Sequence, residues 1–438
     1  MHPTKTIKMS RVTAVFVASL LVAQAALGQT TDIDVEVSVG LGETDNVART
    51  AVNEIDETIG MVGLDLDLDY ESRKLEADIR SRFSYLEYFD DTFDSELIGG
   101  FAGNAQYQFF EDRFFWDLQY NWGQQLQDNF QPARPDNREN ISLLTTGPTF
   151  VQPIGDRNFI SVEASYSTLD YEFQPFDFER GLGAVRFGRE VANNTFLSMN
   201  LSTQRVEFDN SAFPPYDFQE MFVRYDFDDG RNTISANLGH TSVEAAGLEG
   251  DGVLFSFDWM RQITARTVLQ FNAGSRYSDQ GDIFQIFQSS TQSVGTTGNF
   301  SPLGQPFRNN FASAGLQFDA DRTSVGLTAF TSQEDYELID DSFAPNRDFS
   351  SIELEIGREV TRKIFIRIAG VYRVVNYDLN DRKDEDSQGS IRLGYRFNPA
   401  FYVSLQYSHL RRESTDLFSE SVENRTVLQL SYIPEWSR

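Results

Sequence analysis

Three aspartates stand at alternate positions, Asp65, Asp67 and Asp69. Carboxylates this close together could hold a calcium ion if the chain wrapped around it. An EF-hand loop needs Gly at its sixth place and Glu at its twelfth. Here the sixth place is Tyr70 and the twelfth is Glu76, so the turn-forming glycine is missing. In an extended strand the same carboxylates share one face, about 7 Å apart. The next segment can set Lys74, Glu76, Asp78, Arg80 and Arg82 against them. Cross-strand charge pairing on a wet wall is therefore expected here, with no metal and no cofactor.

Nucleophilic chemistry has little to work with. The chain has no cysteine, and beyond His2 its only histidines are His240 and His409. Ser408 adjoins His409, but neighbours on a strand point to opposite faces. A serine–histidine pair needs hydrogen-bond reach, and nothing in the spacing supplies it. Gly181-Leu-Gly183-Ala-Val-Arg-Phe-Gly188 has the wrong spacing for a dinucleotide fingerprint. No catalytic residue is assigned, and the chain is read as not an enzyme. With a formal net charge of −29 it offers no basic footprint for nucleic acid.

Two further sets of residues bear on function. Arg367, Arg392 and Arg396 join Asp65, Asp67, Asp69, Arg80 and Arg82 as candidate charges on an inner wall. Residues 280–308 bring Phe284, Phe287, Phe300 and Phe307 together with many Gln, Ser, Thr and Gly. So long a connection is usually functional or disordered. It is expected to fold over or into the mouth of a wide pore and constrict it.

The elements that position these residues follow a period of two. Leu64, Leu66, Leu68 and Tyr70 alternate with Gly63, Asp65, Asp67 and Asp69. Trp116, Leu118, Tyr120 and Trp122 alternate with Asp117, Gln119 and Asn121. Ile391, Leu393, Tyr395 and Phe397 alternate with Arg392, Gly394 and Arg396. Such alternation makes a sheet with one apolar and one polar face.

Short connections at 71–73, 110–113, 228–232, 320–322 and 398–400 alternate with long ones at 43–57, 87–95, 125–140, 280–308, 334–348 and 413–424. Short turns on one side and long loops on the other describe an outer-membrane barrel. Counting by this rule gives twenty strands, or eighteen if weak strands merge into loops. The last is expected at 425–436, and 384–386 are counted with the acidic loops. No long helix is expected. Twenty strands tilted by 40° enclose a diameter on the order of 40 Å, too wide for side chains to fill.

The N-terminus has the order of a signal peptide. Lys5, Lys8 and Arg11 precede an apolar run from Val12 to Ala23, and Ala26-Leu27-Gly28 offers a cleavage site. The expected organisation is a signal peptide at 1–28 and an outer-membrane barrel at 29–438.

Glu43-Thr-Asp-Asn-Val47 and Tyr85-Leu-Glu-Tyr-Phe-Asp-Asp91 resemble motifs of the β-barrel porins of proteobacterial outer membranes, including proteins found with exopolysaccharide and PEP-CTERM export systems. The resemblance implies an outer-membrane location and a role near polysaccharide export. It carries over no catalytic residue.

The expected protein is an all-β, up-and-down transmembrane antiparallel barrel in the outer membrane of a Gram-negative bacterium. It is expected to act as a porin-like channel, with exopolysaccharide export or uptake as one setting. A non-conducting surface or scaffold protein is the alternative. Expected partners are outer-membrane lipid and lipopolysaccharide, polysaccharide or small hydrophilic solutes, periplasmic chaperones and the barrel-insertion machinery.

Overall fold

The computed structural model describes residues 31–289, 297–298, 305–338, 346–378 and 381–436. The expected signal peptide lies outside the described residues. The first strands are β1 (Thr31–Thr44), β2 (Glu57–Glu71), β3 (Leu75–Tyr88), β4 (Glu96–Phe110), β5 (Phe114–Leu126), β6 (Arg138–Ile154) and β7 (Asn158–Tyr171). Next come β8 (Phe178–Ala192), β9 (Thr195–Phe208), β10 (Tyr216–Asp228), β11 (Asn232–Ala245), β12 (Leu248–Thr264) and β13 (Thr267–Ser278). The helix α1 (Gln280–Ser289) and the two-residue β14 (Thr297–Gly298) follow. The chain continues with β15 (Phe307–Ala320), β16 (Thr323–Asp335), β17 (Arg347–Glu359), β18 (Ile364–Tyr377), β19 (Arg382–Arg396), β20 (Phe401–Ser414) and β21 (Ser421–Tyr432).

All strands but β14 pair antiparallel with their sequence neighbours, β13 passing directly to β15. β1 closes on β21, from Val37 opposite Tyr432 to Thr44 opposite Arg425. Among the described residues the result is a closed barrel of twenty strands, with no exposed sheet edge. β14 is not a stave: it runs parallel to Gln124 and Gln125 at the end of β5.

The register explains the alternation in the sequence. Val37 stands opposite Leu64, and Glu36 opposite Asp65. On the outside, Val39, Val62, Leu118, Val223, Leu238, Phe255, Leu393 and Leu428 are exposed large apolar side chains. In water such a band would be costly, and in a bilayer it is the lipid-facing surface. The long connections gather at one end of the barrel and the short turns at the other, which places the protein in the outer membrane of a Gram-negative bacterium with its short turns periplasmic. The long-loop-end connection between β11 and β12 is as short as the turns of the other end. Ala246 and Gly247 both have positive φ, 54° and 78°, and form a tight hairpin between β11 and β12.

Four expectations need correction. The connection 280–308 is not a plain loop, since it carries α1 and β14. Asp384, Glu385 and Asp386 are not in a loop but inside β19, because the buried Asp384 is held by Arg382 and Arg412. The last strand ends at Tyr432, and Trp436 sits in a turn beyond it. The inner wall is also not polar throughout. Near the long-loop end, Ile141, Leu143, Leu169, Phe178, Val206, Tyr216, Phe218 and Val243 form a buried apolar cluster. By alternation this patch faces inward, and it requires a cover.

Candidate functional site

The cover is α1. Phe284 is fully buried within that cluster, with Ile283 packed against it. Burying a Phe contributes roughly 1.5–3 kcal/mol. Polar contacts fix the helix at both sides. On β8, Arg180 donates to Asp282 Oδ1 at 2.8 Å and pairs with Asp279, just before the helix. The Tyr216 hydroxyl donates to Asp279 Oδ2 at 2.9 Å, and the Asp282 backbone N–H donates to Asp279 Oδ1 at 3.1 Å. Burial pushes the Asp279 carboxyl above its ordinary pKa, against the opposing pull of Arg180. On β5, Gln119 Oε1 accepts from Gln285 Nε2 at 2.7 Å. α1 therefore lies inside the barrel, along the inner wall between β5 and β8–β10.

A cavity of about 600 Å³ separates α1 from the short-turn end. Glu76, Asp78, Asp117, Glu163 and Glu220 line it with Gln119, Ser167 and Arg276, while Asp282 and Gln285 form its roof. The lining is polar and rich in carboxylate, as a water-filled lumen requires.

A second segment crosses the mouth. Between β5 and β6 the chain reaches over to β18–β20. Phe130 O accepts from Arg382 Nη2 at 2.5 Å and from Ser419 Oγ at 3.0 Å. The Phe130 ring lies 4.9 Å from the Tyr377 ring and 4.9 Å from the Arg382 guanidinium. Asn129 O accepts from Arg412 Nη2 at 3.3 Å. These partners come from the opposite end of the sequence, so no local pattern announces them.

The candidate charges fall into two groups. Asp65 stands opposite Arg82 and Asp67 opposite Arg80. The Asp65–Arg82 pair is loose, at 3.6 Å. Asp69 meets another acid, Asp78, and it is Asp78 that binds Arg80 at 2.8 Å. Further round the barrel, Arg367 stands opposite Arg392. Arg396 binds Glu359 at 2.8 Å. Of the candidate aromatics, Phe284 and Phe307 are buried. Phe307 packs on Tyr336 at 5.1 Å, beside Ile283. Phe300 and the side chain of Phe287 lie outside the described residues. His240 and His409 sit in register with outward-facing Met221 and outward-facing Asn424, and His409 Nδ1 lies 2.8 Å from Asn424 Oδ1. Arg180, Asp279 and Phe130 escaped the sequence reading. A lone arginine on a strand carries no signal until its partner's position is known.

No protein-family model matches the chain, and no curated protein matches it. Among solved structures it is similar to the FrpB iron transporter from Neisseria meningitidis (F5-1 variant), with 8% identity, 94% of this chain and 84% of that chain covered, and a TM-score of 0.48. It is similar to the siderophore receptor PirA from Pseudomonas aeruginosa, with 9% identity, 92% and 80% covered, and a TM-score of 0.42. It is also similar to a loop L8 deletion mutant of OmpT, an outer membrane protein of Vibrio cholerae, with 10% identity, 92% and 99% covered, and a TM-score of 0.32.

The expected kinship with exopolysaccharide- and PEP-CTERM-associated porins is thereby corrected. No family model supports it, and the similar solved structures include iron transporters and siderophore receptors instead. The motif behind that expectation has a local explanation. Asp45 accepts from the backbone N–H and side-chain amide of Asn424, each at 2.7 Å, and Asn46 donates to Val422 O at 2.9 Å. Thr44, Asp45 and Asn46 fasten the seam where the first strand meets the last.

Proposed function

We propose that this barrel is a channel for small hydrophilic solutes, its bore set by α1 and by the segment 127–137 across the mouth. The observation that carries this reading is α1 itself, pinned inside the barrel by Arg180 and Phe284 above a polar cavity. An open barrel of this width would pass small molecules indiscriminately. A solid one would need an apolar filling, whereas the cavity walls carry carboxylates, amides and hydroxyls. Planar-bilayer recording tests the reading. The wild type is expected to conduct weakly, and Phe284→Asp, which places an unpaired carboxylate in the apolar cluster, is expected to raise single-channel conductance several-fold. Absence of current from both correctly folded proteins would reject the channel and favour a scaffold.

A further inference from the structure

At the short-turn end of the lumen, β18 and β19 set two arginines directly opposite each other, Arg367 and Arg392. Their strand neighbours Ile368, Ile391 and Leu393 are exposed on the lipid side, so both guanidiniums face the lumen. Like charges in register weaken a strand pair, and a nearby carboxylate would ordinarily relieve them. Among the described residues none forms an ion pair with either. Glu359 is taken by Arg396 at 2.8 Å, and Glu36 and Asp65 act on Arg392 only from beyond ion-pair distance, Glu36 accepting from the neutral Tyr402 hydroxyl and Asp65 leaning on Arg82 at 3.6 Å.

The two side chains are nevertheless held in place. Arg392 donates through Nε to Gln406 Oε1 at 2.8 Å, and Gln406 Nε2 donates in turn to Ser408 Oγ at 3.0 Å. This fixes the guanidinium by its inner nitrogen and leaves its two terminal amino groups for another acceptor. Arg367 lies 5.6 Å from the centre of the Phe365 ring, and Arg396 lies 5.0 Å from the same ring. Phe365 is itself buried and packs edge-on to Tyr402 at 5.4 Å. It can lie flat against the wall because residue 394 is glycine. A Cβ there would meet Phe365 Cζ at 2.0 Å.

We infer that Arg367 and Arg392 form a lumenal subsite for a small oxyanion, the phosphate or carboxylate group of a solute. Two guanidiniums offer planar, bidentate donors matched to such a group, and a bound anion relieves the repulsion between two like charges set in register. Phe365 and Gln406 are positioning residues. The inference deepens the channel reading by naming a solute class, but its test measures binding and not current. Conduction without binding would sink the subsite alone, and binding without conduction would sink the channel alone.

The experiment is 31P line broadening of inorganic phosphate by the full barrel refolded in micelles, with folding checked by heat-modifiable electrophoretic migration. The wild type should broaden the line, and succinate should reverse the broadening. Arg367→Gln combined with Arg392→Gln should weaken apparent affinity at least ten-fold. That double variant relieves a like-charge repulsion and so is expected to fold. Gly394→Ala keeps both arginines but displaces Phe365, and should also weaken binding. Arg224→Gln should leave binding unchanged, since Arg224 is already paired with Asp226 at 2.8 Å. No broadening by the wild type, equal broadening by the double variant, an equal loss in Arg224→Gln, or failure of succinate to compete would overturn the inference.

Discussion

Arg180 Nη1 donates to Asp282 Oδ1 at 2.8 Å, joining β8 to the first turn of α1 across 102 residues of sequence. The same arginine pairs with Asp279, so two carboxylates of the connection converge on one buried guanidinium. Removing one partner of a buried ion pair leaves an uncompensated charge, at a cost of about 3–5 kcal/mol. Arg180→Gln should therefore release α1 from the wall. The expected outcome is a larger single-channel conductance together with faster amide exchange over 280–289. Unchanged exchange there would show that Phe284 alone holds the helix.

Acidity should have the opposite effect on the wild type. Burial raises the Asp279 pKa when α1 is docked, so the docked state binds a proton more readily than the undocked state. The charged form opposes docking above the docked pKa. That penalty is relieved as pH falls through the docked pKa toward the ordinary carboxylate value. Arg180, Tyr216 and Asp282 surround the carboxyl, and Arg180 keeps Asp282 as its partner after Asp279 is protonated. Conductance is expected to decrease as pH falls toward the ordinary carboxylate value, and Asp279→Asn should flatten that dependence. A rise in conductance on acidification would contradict the sign.

The seam makes a separate prediction. Glu423 is almost fully buried and accepts from Thr44 Oγ1 at 2.8 Å, Arg49 Nε at 2.7 Å and Arg425 Nη2 at 2.6 Å. Glu423→Gln leaves two arginines without their carboxylate, and about 3–5 kcal/mol of stability should be lost. The change should appear as a lower temperature for the folded-to-unfolded shift in electrophoresis. The variant's effect should be local to closure, so lumen accessibility at Asp117 should not change.

Adjacent positions on β12 test the two faces of the wall. Phe255 is exposed on the lipid side near mid-strand, and Ser256 alternates with it toward the lumen. Phe255→Arg should cost about 2–4 kcal/mol in urea unfolding, the range for a midplane charge on the lipid face. Ser256→Arg should cost far less. Equal losses would mean that the assignment of faces is wrong.

Much of this architecture was readable from the sequence because its signals are local. The alternation Leu64-Asp65-Leu66-Asp67 sets faces through the two-residue repeat of an extended chain, whatever the rest of the barrel does. Strand number and the long-short rhythm of connections follow from the same pattern. The alternation failed where a buried charge was satisfied by arginines on its own and the neighbouring strand. Asp384 looks like loop sequence until Arg382 and Arg412 are seen to hold it within β19.

Only the tertiary structure decided which residues hold the contents of the lumen in place. Closure brings β8 and the start of α1 to the same height, which turns Arg180 and Asp279 from two unremarkable residues into an anchor. It lays Phe130 against Tyr377 and Arg382, while the register of the neighbouring β18 and β19 seats Phe365 in the space left by Gly394. Each contact depends on strand register and on which staves face each other across the barrel. Those are properties of the closed sheet, and a one-residue slip would turn every side chain of a strand to the opposite face.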